Sequence, residues 1–163
     1  MLISLTELKT YLRIEDTNED TRLNQILNAV DVKVKKYCKR KFEYGEFTET
    51  VYFSDGVGLV KETPLENVIE AKDLYDTNYD IFRIESKGTI YLDTKFTGYL
   101  DVKYTGGYSS IPDDLKFAVM RYCEYLYNKP EGIKSQSFEG MNINFDIPND
   151  VFEILDMYKV IRM

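Results

Sequence analysis

The strongest constraint on the fold is one amphipathic stretch, residues 111–130, whose spacing predicts a long helix. Pro112 suits the first turn of a helix because its fixed φ costs nothing there. Asp113 and Asp114 place negative charge at the positive end of the helix macrodipole. Apolar residues recur along one face at helical spacing: Leu115, Ala118, Val119, Tyr122, Cys123 and Leu126. The pattern predicts a central helix that the remaining elements cover.

Further helices are predicted near both ends of the chain. Ser4 and Glu7 have the spacing of a capping box, which predicts the start of a short helix. After a polar, acidic break at residues 15–21, apolar residues again recur at helical spacing over about four turns. They are Leu23, Ile26, Leu27, Val30, Val34, Tyr37 and Cys38. Pro148 is expected to open a last helix.

Residues 47–105 have the composition and alternation of β structure. Six strands are predicted: residues 47–53, 58–61, 68–75, 79–85, 89–92 and 99–104. The turns between them are short, which favours an antiparallel meander over βαβ crossovers. The predicted class is α+β, a small bundle of N- and C-terminal helices with an inserted antiparallel β-meander. We expect a single domain, with a helical core of residues 1–45 and 105–163 and a β insertion of residues 47–105.

No set of residues in the sequence predicts catalysis. The chain has no histidine, so the commonest general base and metal ligand is missing. Cys38 and Cys123 are far apart and lie on apolar helix faces, which is typical of buried, reduced cysteines. Neither a phosphate-binding GxxxxGK[ST] loop nor a secretory signal is present, and no run of 18 apolar residues exists. We therefore expect no enzyme, no cofactor, no metal site and no membrane span.

Charge is distributed unevenly on this acidic chain. The net charge of −7 opposes tight binding to nucleic acid, because such binding requires neutralisation of phosphates. Four acidic residues precede or begin the second helix, and a basic cluster, residues 33–41, follows near its end. The candidate interface residues are Glu15, Asp16, Glu19, Asp20, Lys33, Lys36 and Arg40. A solvated helix face explains the basic cluster, but oppositely charged ends also suit head-to-tail packing of identical subunits, which can close into a ring.

Residues 131–147 are polar and contain glycine, so we expect a loop or a partly ordered arm. Phe138, Met141 and Ile143 are isolated apolar residues within it. Such an arm can order against a partner, for example by adding a strand to an exposed sheet edge. These three residues are candidates for partner binding, and a plain loop is the alternative.

Two stretches resemble the head–tail connector proteins of tailed bacteriophages, which are also called head-completion or adaptor proteins. The first, residues 5–37, contains LTELKTYLRI, an acidic break and an amphipathic helix. The second, residues 104–132, contains YTGGYSSIPDDL and a helix that closes in Leu-Tyr and Asn-Lys. Each motif is moderately specific, and it is their occurrence in this order that carries the resemblance.

The resemblance implies a structural protein of virion assembly, made in the cytoplasm of the bacterial host and located in the virion neck. It implies a ring, typically dodecameric, that lies beneath the portal protein and docks the next neck or tail-completion protein. DNA passes through such a ring without sequence-specific binding, and no catalytic residue is implied. A neck stopper or tail-completion protein is the nearest alternative. More distant alternatives are a small regulatory helix-turn-helix DNA-binding domain and a Tyr-rich ligand-binding or sugar-active β domain.

Overall fold

A computed structural model describes residues 1–128 and 147–160, together with the backbone of two short strands at 135–138 and 141–144. The helices in these ranges are α1 Leu5–Leu12, α2 Asp20–Cys38, α3 Asp113–Asn128 and α4 Asn149–Met157. The strands are β1 Gly45–Ser54, β2 Val57–Leu59, β3 Leu65–Lys72, β4 Ile81–Ile84, β5 Thr89–Leu92, β6 Gly98–Gly106, β7 Ser135–Phe138 and β8 Met141–Asn144. The predicted α+β class is confirmed. The chain divides into two compact units: a helical unit, Met1–Cys38 with Pro112–Met163, and a β unit, Lys39–Ile111.

The first helix begins and ends at defined capping contacts. The Ser4 hydroxyl accepts a hydrogen bond from the Glu7 N–H at 3.2 Å, and the Glu7 carboxylate accepts one from the Ser4 N–H at 2.7 Å. The predicted capping box is therefore confirmed. The helix ends where Arg13 takes a left-handed conformation, and the N–H of Arg13 bonds back to the carbonyls of Lys9 and Thr10.

The helical unit is held together by apolar faces on α2, α3 and α4. The central helix α3 packs against both α2 and α4, as expected of the element that the others cover. Its buried residues are Leu115, Ala118, Val119, Tyr122 and Cys123. Those of α2 are Leu23, Leu27, Val30, Val34 and Cys38. Each such aliphatic side chain contributes roughly 1.5–3 kcal/mol when it is removed from water. Neither cysteine forms a disulfide and both are buried, and burial raises the pKa of the Cys123 thiol to about 12.

The β unit is a six-stranded antiparallel sheet with the order β3-β6-β1-β2-β5-β4. Strand β6 pairs along its whole length with β1, and β3 pairs with the other side of β6. The two edge strands approach each other, because the Tyr79 N–H bonds to the Ala71 carbonyl and the Leu65 N–H bonds to the Ser86 carbonyl, both at 2.8 Å. The sheet therefore curls towards a closed barrel. Its interior is filled by Val51, Phe53, Val60, Leu65, Ala71, Ile90, Leu92, Leu100, Val102 and Tyr104.

Two glycines at the end of β6 are required by close backbone contacts. A Cβ atom on Gly106 would lie 2.6 Å from the Glu62 carbonyl oxygen. A Cβ atom on Gly107 would lie 2.5 Å from the Glu43 carbonyl oxygen, and Gly107 also has a φ of +89°. Larger residues would push these segments apart. The Gly-Gly pair of the YTGGY motif is thus explained by the packing of the β unit.

The strand boundaries differ from the predicted ones at β3. The sequence predicts a strand at residues 68–75, whereas β3 is Leu65–Lys72. Val68, Ile69, Leu74 and Tyr75 give the predicted segment the composition of a strand, but Asp73 turns the chain. Its carboxylate accepts hydrogen bonds from the N–H groups of Tyr75 and Thr77 at 2.8 and 3.0 Å. This Asx-type turn ends the strand and places residues 74 and 75 in a loop.

Candidate functional site

The acidic residues before α2 are partly neutralised within the chain. Lys9 donates from Nζ to the Asp20 carboxylate at 2.5 Å and to the Asp16 carbonyl at 2.6 Å. Arg22 pairs with Glu19 at 3.2 Å. Glu15 is exposed, and no ion pair of its side chain is found among the described residues. The charge available to a neighbour therefore belongs mainly to Glu15 and Asp16.

The basic end of α2 presents a different kind of surface. Ala29, Val32, Lys33 and Lys36 are all exposed and recur at helical spacing, so they form one solvent-facing strip, here called the α2 outer face. Val32 is 64% exposed, so most of its apolar side chain lies on this strip. The Lys33 ammonium lies 5.7 Å from the centroid of the Tyr122 ring. Within the described part of the chain, Lys36 has no ion-pair partner.

Arg40 does not belong to this exposed surface, and the expectation that it lies on a solvated basic face is wrong. Helix α2 ends at Cys38, and Lys39 takes a positive φ of 58° that turns the chain. The Arg40 side chain is only 7% exposed and donates a hydrogen bond to the Thr63 carbonyl. Its guanidinium lies 4.8 Å from the Phe42 ring and 5.5 Å from the Tyr108 ring. It therefore stabilises the β unit from within.

Buried polar side chains accompany Arg40 in the β unit. The Glu62 carboxylate, 7% exposed, accepts hydrogen bonds from the N–H groups of Lys41 at 2.9 Å and Phe42 at 3.3 Å. The Tyr104 hydroxyl donates to Glu49 at 2.7 Å and accepts from the Glu62 N–H at 3.1 Å. Burial and the bond to Glu49 raise the pKa of Tyr104 far above its usual range. These contacts satisfy buried polar groups and are structural.

The outer face of the sheet carries an exposed aromatic pair. Tyr52 on β1 and Tyr99 on β6 are register partners, 52% and 65% exposed, with ring centroids 5.1 Å apart. Exposed aromatic residues are what the Tyr-rich binding alternative requires. The two rings meet edge to face, so the edge of one ring packs on a face of the other.

The loop between β3 and β4, residues 73–78, presents the most exposed apolar side chains on the β unit. Leu74 is 92% exposed and Tyr75 is 90% exposed. We call residues 73–78 the β3–β4 loop. The sequence predicted a turn only at residues 76–78 and assigned Leu74 and Tyr75 to the preceding strand, because their composition is typical of β structure. The detectable signal was Asp73, since an aspartate side chain can accept a hydrogen bond from the backbone N–H two residues further on and so form a turn.

The predicted arm contains the β7–β8 hairpin. The backbones of Phe138 and Met141 are register partners, as are those of Gln136 and Ile143. Within the arm, residues 131–134, 139–140 and 145–146 lie outside the described residues, as do the side chains of Phe138, Met141 and Ile143. Partner binding by these three residues stays a prediction.

The described residues contain no group of three or more Cys, Asp or Glu side chains that could hold a metal ion. None of the helices in the described ranges is both long and apolar enough to cross a membrane. The charged groups described above occur as pairs and buried contacts. They do not place an acid and a base around a common reaction centre.

Comparison with known proteins gives one family and one fold. The family model described as head completion protein matches residues 1–161. A chain from the neck of an empty GTA particle computed with C6 symmetry superposes with a TM-score of 0.66 at 15% identity, covering 99% of this chain and 91% of that chain. A chain from the neck of a native GTA particle computed with C12 symmetry gives 0.65 at 14% identity, with the same coverage. A chain from the virion of a native gene transfer agent particle gives 0.62 at 14% identity, again with the same coverage. No curated protein matches.

Proposed function

Because the chain belongs to the head completion protein family, we propose that it forms a ring at the head–tail junction, beneath the portal protein. Its role is structural, that of a head–tail connector in the neck of a virion. The observation that carries the proposal is the family match over residues 1–161. The similar fold of chains in particle necks computed with C6 and C12 symmetry supports a cyclic arrangement, and twelve copies agree with the higher symmetry.

The remaining partners follow from the position of such a ring. The portal protein would contact one face, and a neck or tail-completion protein would contact the other. DNA would pass through the centre without sequence-specific binding. The net charge of −7 supports this, because an acidic wall repels phosphate and does not retain it. No catalytic step is part of the proposal.

Charged residues would set the register between neighbouring copies. Glu15 and Asp16 of one copy and Lys33 and Lys36 of the next would lie at the same interface, where their opposite charges guide the two copies together. Glu19 and Asp20 already have partners in their own chain, so they would contribute less. Exposed ion pairs of this kind contribute mainly to specificity and association rate.

Negative-stain imaging of the purified protein, alone and mixed with portal protein, tests the ring. We expect closed rings with twelve copies in the presence of portal. A mixture that shows portal alone beside unassembled chains would contradict the proposal. A mobility-shift assay near physiological salt should show no DNA binding, and tight binding there would favour the helix-turn-helix alternative.

A charge reversal tests the register. Lys36→Glu should slow ring formation and make its salt dependence weaker, because an attractive contact becomes repulsive. Lys36 is exposed, so its variant should fold as the wild type does. Lys87→Glu, at an exposed turn of the β unit, makes the same change in net charge and is the matched control. Equal assembly rates for the two variants would remove Lys36 from the interface.

A further inference from the structure

We propose that the β3–β4 loop of one copy docks on the α2 outer face of the next copy. The inference rests on the proposed ring and goes further, because it names the two surfaces that meet. The contact joins an apolar loop tip on the β unit to an apolar strip on the helical unit. The family match assigns neither surface to an interface.

The loop tip has the properties of an interface anchor. Leu74 and Tyr75 expose 92% and 90% of their surface, so they contribute almost nothing to the core of their own chain. When a partner removes such exposed apolar side chains from water, the free energy of the complex is lowered. Tyrosine is enriched among the residues that dominate binding energy at interfaces. Two such side chains in succession at one tip favour contact with another protein surface.

The loop is also ordered before any partner binds. The Asp73 carboxylate accepts hydrogen bonds from the N–H groups of Tyr75 and Thr77. Lys72 pairs with Glu70 at 3.2 Å and with Asp76 at 3.0 Å. These contacts hold the backbone on both sides of the tip. A loop fixed in this way loses little conformational entropy on docking, which favours affinity.

The α2 outer face is complementary to this tip in both polarity and charge. Ala29 and Val32 form a small apolar strip, and Lys33 and Lys36 flank it. Around the loop tip the charges are opposite. Asp80 is exposed, and the Asp76 side chain is 83% exposed despite its contact with Lys72. An apolar tip with an anionic rim thus fits an apolar strip with a cationic rim.

A second copy of this chain is therefore the favoured occupant. Each copy carries one loop and one α2 outer face, so a single chain supplies both halves of the contact. The two halves are different surfaces, so the contact is heterologous. Repetition of a heterologous contact about an axis closes a ring.

Cross-linking tests which residues meet. Copies with Leu74→Cys are mixed with copies carrying Val32→Cys, in the presence of portal protein, and treated with a short bis-maleimide. The native cysteines are buried, so the new thiols should react first. We expect cross-linked dimers in the mixture and a loss of this product when either variant is used alone. Leu59→Cys, another exposed apolar position of the β unit, replaces Leu74→Cys in the control and should give none.

Assembly of a loop variant provides the second measurement. Leu74→Ser with Tyr75→Ser should raise the protein concentration needed for half-assembly by roughly 30-fold or more. Leu59→Ser is the matched control and should assemble like the wild type. Circular dichroism should show equal folding for all three proteins.

The outcomes separate the two proposals. If the wild type forms no ring with portal, the proposed function fails. If the wild type forms rings, and the loop variant forms them equally well without any Leu74–Val32 cross-link, the inference is overturned while the function stands. If the loop variant forms rings that no longer bind portal, the loop docks on portal and the inference is likewise overturned.

Discussion

The helical unit and the β unit differ in how many of their large apolar side chains are exposed to solvent. In the helical unit, the apolar stripes of α2, α3 and α4 are buried, and the large apolar residues exposed among the described residues are Met1, Val32, Phe117 and Met157. The β unit exposes more of them: Tyr44, Tyr52, Val57, Leu59, Ile69, Leu74, Tyr75, Phe82 and Tyr99. The two charged residues that are buried in the described chain, Arg40 and Glu62, also belong to the β unit.

This difference indicates how the two units are stabilised. The helical unit is stabilised mainly by the packing of apolar helix faces, and its ion pairs are exposed or part-buried. The β unit depends on its packed barrel interior and also on buried polar contacts. Its outer surface retains apolar area, which is typical of a region that contacts other proteins. The comparison predicts that the two units respond to different kinds of substitution.

The largest effect is expected from a cavity in the helical core. Leu115 lies in the apolar face of α3 and is fully buried. Leu115→Ala should lower the free energy of unfolding by about 3 kcal/mol, because it loses apolar burial and leaves a cavity. Phe117→Ala on the same helix is the control, since Phe117 is 42% exposed and its loss leaves no closed cavity, so it should cost less than Leu115→Ala. Urea denaturation followed by circular dichroism measures both, and equal losses would show that α3 is not packed as described.

A smaller effect is expected from a polar substitution in the β unit. Glu62→Gln removes a buried charge that accepts hydrogen bonds from the backbone N–H groups of Lys41 and Phe42. The neutral amide oxygen accepts weaker hydrogen bonds than the carboxylate, so we expect the free energy of unfolding to fall by about 2 kcal/mol. Asp93→Asn, at an exposed position of the same unit, should be nearly neutral. Equal denaturation midpoints for Glu62→Gln and the wild type would mean that the buried polar contacts do not stabilise the β unit.

Loss of the Tyr104 hydroxyl should have a smaller effect again. Tyr104→Phe keeps the ring in the barrel interior and removes the hydrogen bonds to Glu49 and to the Glu62 N–H. Because Lys61 also pairs with Glu49 at 3.0 Å, that carboxylate keeps one partner. We expect a loss of about 1 kcal/mol by urea denaturation. Tyr99→Phe, at an exposed site on the same strand, should leave the midpoint unchanged. A loss equal to that of Glu62→Gln would show that the hydroxyl contributes more to stability than two hydrogen bonds account for.

The two units also differ in what the sequence predicts. Helical spacing identified the buried residues of α2 and α3, because a helix face is determined by local periodicity. It overestimated Leu126, Ile26 and Tyr37, which are only half-buried at the margins of those faces. In the β unit the sequence predicts the strands, but it does not show which of their side chains are exposed to solvent. Whether Tyr99 faces solvent depends on pairings between strands distant in sequence, and Leu74 is exposed because Asp73 turns the chain before it.

The burial of Arg40 shows the same limit in the candidate site. A run of lysines and arginines at a helix end predicts a solvated surface, and Lys33 and Lys36 agree with it. Arg40 is different because Lys39 turns the chain, and a left-handed residue at that point has no strong signal in the sequence. The rings of Phe42 and Tyr108, between which the guanidinium lies, are distant from each other in sequence. Contacts of this kind are visible only in three dimensions.

The smallest effect is expected from a surface ion pair of the helical unit, and it should depend on pH. The Lys116 ammonium, 2.8 Å from Glu7, together with the Ser4 N–H and hydroxyl, lowers the pKa of Glu7 from 4.5 to about 2. A lowered pKa in the folded state means that the contribution to stability is present above pH 4.5 and is lost as the pH falls towards 2. The Glu7 side chain is 41% exposed, so water and salt reduce this contribution to about 0.5–1 kcal/mol.

Glu7→Gln tests this contribution and its place in the comparison. Above pH 4.5 the variant should be less stable than the wild type by that amount, and the two free energies of unfolding should converge as the pH falls from 4.5 towards 2. Glu153→Gln, at an exposed position of α4, is the control and should follow the wild-type curve. Urea denaturation at several pH values measures all three. A constant gap between Glu7→Gln and the wild type would show that the pair does not titrate in this window. A loss as large as that of Glu62→Gln would instead show that surface polar contacts stabilise the helical unit as strongly as buried ones stabilise the β unit.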